Sequence, residues 1–326
     1  MKIVFFGTPT FAATNLQYLI NNKFEIVAVV TPPDSKKGRG KKLRECAVKE
    51  VALTNNIPVL QPEKLRADEF INTLKNFNPE LFVVVAFRML PEIVWKIPTK
   101  GTVNLHASLL PNYRGAAPIN RVLINNEQET GVTTFFINNN IDSGAIIQQE
   151  RIKLNNTTTA GQLHNIMIDK GNFILSNTLN AIKNNSATRT TQKHKNAISN
   201  APKLTKKQLK IDWEKPASEI HNLVRGLSPF LDDKNMLKDI AICPSAWFFL
   251  EDHKGLRKRI KLHLTKVVEL EPNTFPKIKT DNKTYLHVIT NEHAIAILNL
   301  QVEGKKPITI QQFLQGNKIT KNHKII

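Results

Sequence analysis

The sequence predicts an α/β protein with a doubly wound, mostly parallel sheet followed by a smaller OB-like β-barrel domain. Three observations lead to this fold class. Short apolar runs alternate with helical patterns in the first half of the 326 residues, a polar stretch without periodicity follows, and closely spaced strand patterns fill the remainder. A chain of this length is expected to form about two domains. We place them at residues 1–188 and 207–326, with a linker at residues 189–206.

The first domain has the pattern of a parallel sheet. Strands are expected at residues 2–6, 24–31, 57–60, 81–87, 102–106 and 132–137. Helices are expected at residues 11–20, 47–55, 68–76, 118–124 and 161–179. Strands this apolar, separated by helices, indicate a sheet that is covered on both faces. Because such sheets bind ligands at the carboxyl ends of their strands, the functional residues are expected there.

The last third of the chain has a different pattern. After Arg189 the sequence becomes polar and loses its periodicity, which predicts the linker. A helix is expected at residues 217–225, and strands are expected near residues 246–250, 260–270, 285–290 and 294–300. Turn residues separate these strands at short spacing, which is typical of a small β-barrel or sandwich, and a five-stranded barrel of the OB type fits this spacing.

The charge of the chain indicates a polyanionic partner. Lys and Arg total 46 against 27 Asp and Glu, so the formal net charge is +19. A charge of this size attracts nucleic acid, an anionic membrane or an acidic co-substrate. A second explanation stays open on composition alone, because the chain is rich in Asn, Lys and Ile, and this bias by itself raises the charge.

Other features of composition exclude several classes of protein. The two cysteines, Cys46 and Cys243, are far apart, so neither a disulfide framework nor a metal site is expected. No apolar run has the length of a signal peptide or a membrane span, so we expect a cytoplasmic protein without a membrane partner. The turn after the first strand contains Gly7 and Pro9 but no G-x-G-x-x-G motif, so a dinucleotide is not required.

Two polar residues end the strand predicted at residues 102–106. Asn104 and His106 are two positions apart, so their side chains leave the same face of the strand. Taken alone, the pair fits either an active site or two side chains hydrogen-bonded into the rim of the sheet. Asp142 favours the first interpretation, because it follows the next predicted strand in a loop that can lie beside His106.

An amide, an imidazole and a carboxylate together suit acyl transfer to an amine. The amide can stabilise the oxyanion of a tetrahedral intermediate. The imidazole can move a proton near neutral pH, and the carboxylate can orient the imidazole or hold a water. No Cys or Ser is placed as a nucleophile, so direct attack by the substrate amine is simpler than a covalent intermediate.

Basic residues cluster in two places that could contact phosphate. The loop at residues 34–44 follows the second strand and carries six cations around two glycines: Lys36, Lys37, Arg39, Lys41, Lys42 and Arg44. A flexible basic loop can order on a polyanion, although a solvated surface loop has the same composition. The end of the linker and the second domain add further cations, which suit an auxiliary nucleic-acid surface or ordinary solvated faces. They are Lys203, Lys206, Lys207, Lys210, Arg257, Lys258, Arg259 and Lys261.

Several motifs resemble a known family. They are the N-x-H pair at 104–106, Ser-Leu-Leu-Pro at 108–111, Tyr-Arg-Gly-Ala-Ala-Pro at 113–118 and Asp-Ser-Gly at 142–144. Together they resemble the active-site signature of the formyltransferase family that uses 10-formyltetrahydrofolate. Other stretches resemble the branch of that family whose acceptor is methionyl-tRNA. These are Phe-Gly-Thr-Pro at 6–9, Gly-Arg-Gly-Lys-Lys-Leu at 38–43, Ile-Asp-Trp at 211–213, Leu-Ser-Pro at 227–229 and Gly-Lys-Lys at 304–306.

The resemblance implies a function and a set of site residues. It implies a Rossmann-like catalytic domain, an OB-like domain that binds the acceptor arm of a tRNA, and the catalytic residues Asn104, His106 and Asp142. The co-substrate would be 10-formyltetrahydrofolate and the partner initiator methionyl-tRNA, formylated for translation initiation. Part of the folate site would be Ser108, Leu109, Leu110 and Pro111. The acceptor end of the tRNA would be contacted by the basic loop through Lys36, Lys37, Arg39, Lys41 and Lys42.

The sequence departs from the family pattern in two places. Residues 86–91 (Ala-Phe-Arg-Met-Leu-Pro) lack the glycine of the family's usual Ala-Tyr-Gly-x-x-Leu-Pro beside the pterin pocket, and residues 231–242 look inserted.

Two other functions stay open. A formyltransferase acting on a nucleotide sugar or on glycinamide ribonucleotide would share the three catalytic residues without needing the basic loop. An RNA-binding protein without catalysis would need the charge but not those residues.

Overall fold

The computed structural model describes residues 1–37, 42–193, 199–237, 243–269, 277–320 and 322–326. The chain forms two compact units. The α/β unit contains residues 1–116, 129–152 and 164–201, and the barrel unit contains residues 117–128, 153–163 and 202–326. Two short segments from the first half of the chain therefore pack within the barrel unit.

Nine strands lie among the described residues of the first half of the chain. They are β1 (Ile3–Gly7), β2 (Ile26–Val30), β3 (Ser35–Lys37), β4 (Lys42–Arg44), β5 (Val59–Leu60), β6 (Leu81–Val85), β7 (Thr102–His106), β8 (Glu129–Phe136) and β9 (Ile146–Lys153). Seven of them form one sheet in the order β5-β2-β1-β6-β7-β8-β9, and β3 pairs with β4 as a separate hairpin. Pairing is parallel from β5 through β7, whereas β8 is antiparallel to β7. The predicted mostly parallel sheet is confirmed.

Eight α-helices connect or cover the strands in the described part of the chain. They are α1 (Thr10–Asn21), α2 (Ala47–Thr54), α3 (Asp68–Asn76), α4 (Glu92–Trp95), α5 (Pro118–Ile124), α6 (Ala160–Lys183), α7 (Ala217–Leu227) and α8 (Ile310–Gly316). The apolar residues of α3 pack on one face of the sheet, where Phe70 and Leu74 join a core with Phe82 of β6. Every residue of β1 and β6 is buried, as expected for central strands covered on both faces.

The elements absent from the sequence prediction are short or polar. Strand β9, with the sequence IIQQERIK, lies at the edge of the sheet, and only Ile147 and Ile152 are buried in it. Its polar residues are partly or fully exposed, so it lacks the continuous apolar run of the central strands. The basic loop contains the β3–β4 hairpin, in which Lys37 pairs with Lys42.

The barrel unit is built from antiparallel strands. They are β10 (Ala246–Glu251), β11 (Arg257–Val268), β12 (Lys277–Thr280), β13 (Leu286–Ile289), β14 (Ala294–Val302), β15 (Ile308–Thr309) and β16 (Lys324–Ile325). They pair in the order β12-β13-β14-β11-β10-β16, and β15 adds to β14. The Asn282 side chain, next to β12, exchanges two hydrogen bonds of 2.9 and 2.7 Å with the backbone of Ile319, shortly before β16. The two edges therefore approach each other, and the barrel is nearly closed, as predicted.

A helix and the inner faces of these strands form the core of the barrel. Ile220 and Val224 of α7 pack against Ile260 and Leu262 of β11 and against Ile297 of β14. On β10 only alternate residues are buried, so one face of the strand points into the core and the other outward. No helix in the described part of the chain combines the length and the apolar character that a bilayer span requires.

A buried histidine makes the stability of the barrel depend on pH. Burial lowers the pKa of His263, on β11, from 6.5 to about 4. As the pH falls below 6.5, the unfolded chain takes up a proton that the folded imidazole does not. The stability contributed by neutral His263 is therefore present above about pH 6.5 and is lost as the pH falls towards 4. We expect the free energy of unfolding of the barrel to fall by about 2 kcal/mol between pH 7 and pH 5 from this group.

Urea unfolding at both pH values, followed by tryptophan fluorescence, measures this loss, because Trp213 lies in the barrel core. His263→Leu should remove most of the difference, whereas His253→Leu, at an exposed position, should keep it. An equal pH dependence in all three proteins would contradict the assignment to His263.

Candidate active site

The site is built around the end of β7, between β6 and β8. His106 is the last residue of β7 and is only 7% exposed, whereas Asn104 on the same face is partly exposed. His106 Nε2 lies 2.9 Å from the carbonyl oxygen of Tyr113. Because a carbonyl can only accept, Nε2 is the ring nitrogen that donates, and Nδ1 is the nitrogen left to accept a proton. Among the described residues the Asn104 amide has no hydrogen-bond partner, so its donors are available to a ligand.

Asp142 reaches His106 by a path that the sequence did not predict. Because β8 is antiparallel to β7, its last residue, Phe136, pairs with Val103, whereas His106 pairs with Thr133. The loop after β8 therefore begins about 10 Å from His106 along the strand and must fold back over the sheet. It does so, because Asp142 Oδ2 lies 3.7 Å from His106 Nδ1.

The backbone around Asp142 is shaped by close contacts. Asp142 has a φ of 49°, in the left-handed region that residues other than glycine rarely adopt. Its Oδ2 accepts a hydrogen bond of 2.9 Å from the backbone N–H of Gly115. A Cβ atom at Gly144 would overlap the carbonyl oxygen of Phe136, so only glycine fits there. These contacts direct the Asp142 carboxylate towards His106.

The segment predicted to hold folate is partly interior. Ser108 is fully buried, and its hydroxyl donates to the carbonyl oxygen of Asn112 at 2.7 Å. Leu110 is buried, and its backbone N–H donates to Thr133 Oγ1 at 3.2 Å. Leu109 and Pro111 are partly exposed. The structure thus places these residues directly after His106, with Ser108 and Thr133 fixing the backbone of the segment.

The β3–β4 hairpin of the basic loop, called the basic hairpin below, projects from the same edge of the sheet as His106. It follows the carboxyl end of β2, which runs parallel to β7 through β1 and β6. The two strand ends are three strand spacings apart, about 14 Å. Lys36 and Lys37 lie in β3 and Lys42 lies in β4, whereas Arg39 and Lys41 lie outside the described residues.

The base of this hairpin is anchored by Asp34. Lys49 Nζ lies 2.6 Å from Asp34 Oδ2, and the side-chain amide of Gln61 donates to Asp34 Oδ1 at 2.9 Å. These hydrogen bonds, that of Lys49 first, hold the pKa of Asp34 below its usual value. The carboxylate therefore stays charged and tethers the start of the hairpin to α2 at neutral pH.

The segment that departs from the family pattern follows β6. Ala86 has a φ of 47°, a conformation usually taken by glycine. The Arg88 guanidinium donates to the carbonyl oxygens of Pro62, at 2.6 Å, and Glu63, at 3.2 Å. The Phe87 ring packs 5.6 Å from that of Phe6. Backbone carbonyls and an aromatic contact therefore hold this segment without the family's glycine.

Sequence reasoning missed one residue that contacts the site. Gln192 falls in the predicted linker, yet it is 8% exposed and bonds to the carbonyl oxygens of Asp142 and Gly144 at 2.9 and 2.8 Å. No local pattern distinguishes it from its polar neighbours Thr191 and Lys193.

Within the described part of the chain, no group of three or more histidine, cysteine, aspartate or glutamate side chains could hold a metal ion.

Comparison with known proteins identifies the family. Residues 1–179 match the Formyl transferase family, and residues 203–318 match the family described as Formyl transferase, C-terminal domain. A Flavobacterium johnsoniae protein named methionyl-tRNA formyltransferase is 43% identical over 317 residues, covering 97% of this chain and 96% of the relative. A protein of the same name from Clostridioides difficile is 42% identical over 321 residues, covering 98% of each chain.

Solved structures share the fold at lower identity. The sugar 3N-formyl transferase WlaRD, crystallised with dTDP and 5-N-formyl-THF, has a TM-score of 0.62 at 23% identity and covers 94% of this chain and 99% of its own. HypX from Aquifex aeolicus, in complex with tetrahydrofolic acid, has a TM-score of 0.62 at 15% identity and covers 97% of this chain and 48% of its own. At these identities the likeness shows the fold alone. The full-length relatives and both matched families show more: the chain belongs to the methionyl-tRNA formyltransferase family.

Proposed function

We propose that the protein transfers the formyl group of 10-formyltetrahydrofolate to the free amino group of methionyl-tRNA, giving N-formylmethionyl-tRNA for translation initiation. The observation that carries the proposal is the approach of Asp142 to His106 at the carboxyl end of β7, with Asn104 on the same face of that strand. The relatives that are named for this activity cover nearly the whole chain. Because such substrates occur where translation initiates, we place the protein in the cytoplasm.

The geometry supports a direct transfer. The amino nitrogen of the methionyl ester attacks the formyl carbon, and the formyl oxygen becomes an oxyanion that the Asn104 amide is free to stabilise. His106 Nδ1 receives the proton that the attacking amine loses, because Nε2 is occupied by the Tyr113 carbonyl. The resulting imidazolium is attracted by Asp142, 3.7 Å away. The bond from the formyl carbon to N10 of the folate then breaks, and N10 leaves with the proton from His106.

We assign the binding of the two substrates to different parts of the chain. Folate is proposed to lie along Ser108, Leu109, Leu110 and Pro111. The acceptor end of the tRNA is proposed to contact Lys36, Lys37, Arg39, Lys41 and Lys42 of the basic hairpin. In this proposal residues 1–188 catalyse the transfer, residues 189–206 link them to the second domain, and residues 207–326 bind the acceptor arm. The two matched families, at residues 1–179 and 203–318, support this division.

A transfer assay with three acceptors tests the proposal. The purified protein is incubated with 10-formyltetrahydrofolate labelled in the formyl group and with methionyl-tRNA, glycinamide ribonucleotide or an amino sugar linked to dTDP. We expect label only in the tRNA. Transfer to either small acceptor at a higher rate would favour the alternative formyltransferases. Binding of tRNA without any transfer would favour a non-catalytic RNA-binding protein.

Arg39 is expected to bind phosphate through the planar geometry of its guanidinium and not through its charge alone. It lies between Gly38 and Gly40 in the sequence, and glycine as a residue type can adopt backbone conformations that other residues rarely adopt. A guanidinium binds phosphate with two parallel hydrogen bonds, whereas an ammonium is a point charge. Arg39→Lys keeps the charge and should nevertheless cost about 1–3 kcal/mol in kcat/KM for formylation, the range for a hydrogen bond to a charged group.

Lys37→Ala is the comparison, because it removes a whole charge from the same hairpin. Neighbouring cations can replace that charge, so we expect a smaller loss of kcat/KM at the same salt concentration. Equal losses in the two variants would indicate that the hairpin acts only through its net positive charge, and would contradict the specific role of Arg39.

A further inference from the structure

Gln192 is a buried amide whose hydrogen-bonding groups are all used. Its Nε2 donates to the carbonyl oxygens of Asp142 and Gly144, at 2.9 and 2.8 Å. Its Oε1 accepts from Nε and from one terminal nitrogen of Arg114, at 3.2 and 2.6 Å. A glutamine has two donors and two acceptor lone pairs, so this side chain is fully satisfied. A satisfied buried network of this kind holds its members in one arrangement.

The four bonds tie together the two loops that meet at His106. One loop carries Asp142, whose positive φ of 49° needs support from its surroundings. The other carries Arg114 and, next to it, Gly115, whose N–H donates to Asp142 Oδ2. Gln192 therefore bonds both to the backbone of Asp142 and to Arg114. The residue after Arg114, Gly115, is the one that holds the Asp142 carboxylate.

The backbone on either side of Gln192 strengthens this tie. Thr190 and Ile146 exchange two backbone hydrogen bonds of 2.8 Å. Farther along the chain, the N–H of Tyr113 donates to the carbonyl oxygen of Ser199 at 2.6 Å. Ala201 donates its N–H to the carbonyl oxygen of Arg114 at 2.7 Å. The chain is thus bonded to the α/β unit both before and after Gln192.

We propose that Gln192 is a positioning residue for the reaction: it holds Asp142 against His106 and does not touch the substrates. The proposal rests on the proposed function for its kinetic consequences. At metal sites, replacing a residue that orients a ligand typically changes affinity or activity by about 10–100-fold, and an orienting residue for a catalytic carboxylate is expected to have an effect of similar order. We expect Gln192→Met, which keeps the size and removes every polar group, to lower kcat by about 10–100-fold. The KM values for tRNA and folate should stay within about twofold of wild type, because Gln192 is buried and its polar groups are all bonded within the chain.

Two further variants separate positioning from general stability. Gln192→Glu keeps the acceptors for Arg114 and loses both donors to the Asp142 loop, so it should lower kcat although the bond to Arg114 survives. Gln148→Met is the matched control: Gln148 is a partly buried glutamine of the same unit, and its Oε1 bonds to Thr178 at 3.4 Å. We expect its kcat to stay within about twofold of wild type.

A double-mutant cycle with Asp142→Asn gives the decisive kinetic result. If Gln192 acts through Asp142, then Gln192→Met should cause little further loss of kcat in the Asp142→Asn background. Losses that multiply in the double variant would overturn the proposal. So would a kcat within about twofold of wild type in both Gln192→Met and Gln192→Glu.

A spectroscopic readout keeps the proposal independent of the proposed function. In protein labelled with 15N-histidine, the ring nitrogen shifts of His106 report its contact with Asp142. We expect these shifts in Gln192→Met and Gln192→Glu to move towards those of Asp142→Asn, and in Gln148→Met to match wild type. Unchanged shifts in both Gln192 variants would overturn the positioning role. Failure of the wild-type protein to formylate methionyl-tRNA would overturn the proposed function and leave this comparison intact.

Discussion

Replacing His106 with alanine is expected to lower kcat for formylation at least about 100-fold, the range for loss of a general acid–base group. With Nε2 donating to the Tyr113 carbonyl, Nδ1 is the ring nitrogen left to accept a proton, and it lies 3.7 Å from Asp142 Oδ2. Asp142→Asn should cause a loss of similar order. The amide that replaces the carboxylate keeps the shape but carries no charge to stabilise the imidazolium. Single-turnover formylation at saturating tRNA and folate measures both effects.

The controls for this experiment test binding and folding separately. Affinity for tRNA should stay near wild type in both variants, because neither side chain belongs to the basic hairpin. Asp169→Asn makes the same chemical change at an exposed position of α6 and should leave kcat unchanged. Formylation by His106→Ala at close to the normal rate would show that the acid–base group lies elsewhere.

Asn104→Ala is expected to lower kcat by about 10²–10³-fold, the loss seen when one oxyanion donor is removed. The Asn104 amide is partly exposed and has no partner among the described residues, so its donors need not break another bond to reach the formyl oxygen. Because the oxyanion exists only after the amine attacks, the loss should appear in kcat rather than in the KM values.

Asn104→Asp sharpens this test, since it keeps the shape and replaces two donors with a negative charge. Its kcat should be at least as low as that of Asn104→Ala. Asn76→Ala, at an exposed position of α3, provides the matched control. An Asn104→Ala enzyme with a raised KM for folate and an unchanged kcat would instead identify Asn104 as a binding residue.

Local patterns in the sequence predicted the elements that carry the site. Strand β7 and helices α3 and α5 begin and end at the predicted residues. In each of these segments the apolar residues repeat with the period of one face of a helix or strand, so the periodicity is sufficient to predict the type of element and where it begins and ends. The alternation along β7 also placed Asn104 and His106 on one face. The edge strand β9 lacks such a signal, because solvent on one side permits the polar residues that the pattern excludes.

Only the tertiary structure decided how Asp142 reaches His106. Apolar spacing predicts a strand at residues 132–137, which overlaps most of β8 (Glu129–Phe136), but it does not state the direction in which the strand pairs. The antiparallel pairing of β8 with β7 sends the following loop away from His106, and the left-handed turn at Asp142 brings it back. Pairing direction depends on contacts between distant parts of the chain, so no local window contains it.

The sequence by itself determined the sheet, the barrel, the basic hairpin's place after β2 and the polar pair at the end of β7. Each of these depends on residues that are close together in the chain. The role of Gln192 could come only from the folded structure. It bonds to the backbone carbonyl oxygen of a residue 50 positions away. Because every residue has a backbone carbonyl, the sequence does not indicate which one this side chain will bind. A buried polar side chain satisfied by distant backbone therefore resembles an ordinary linker residue until the chain is folded.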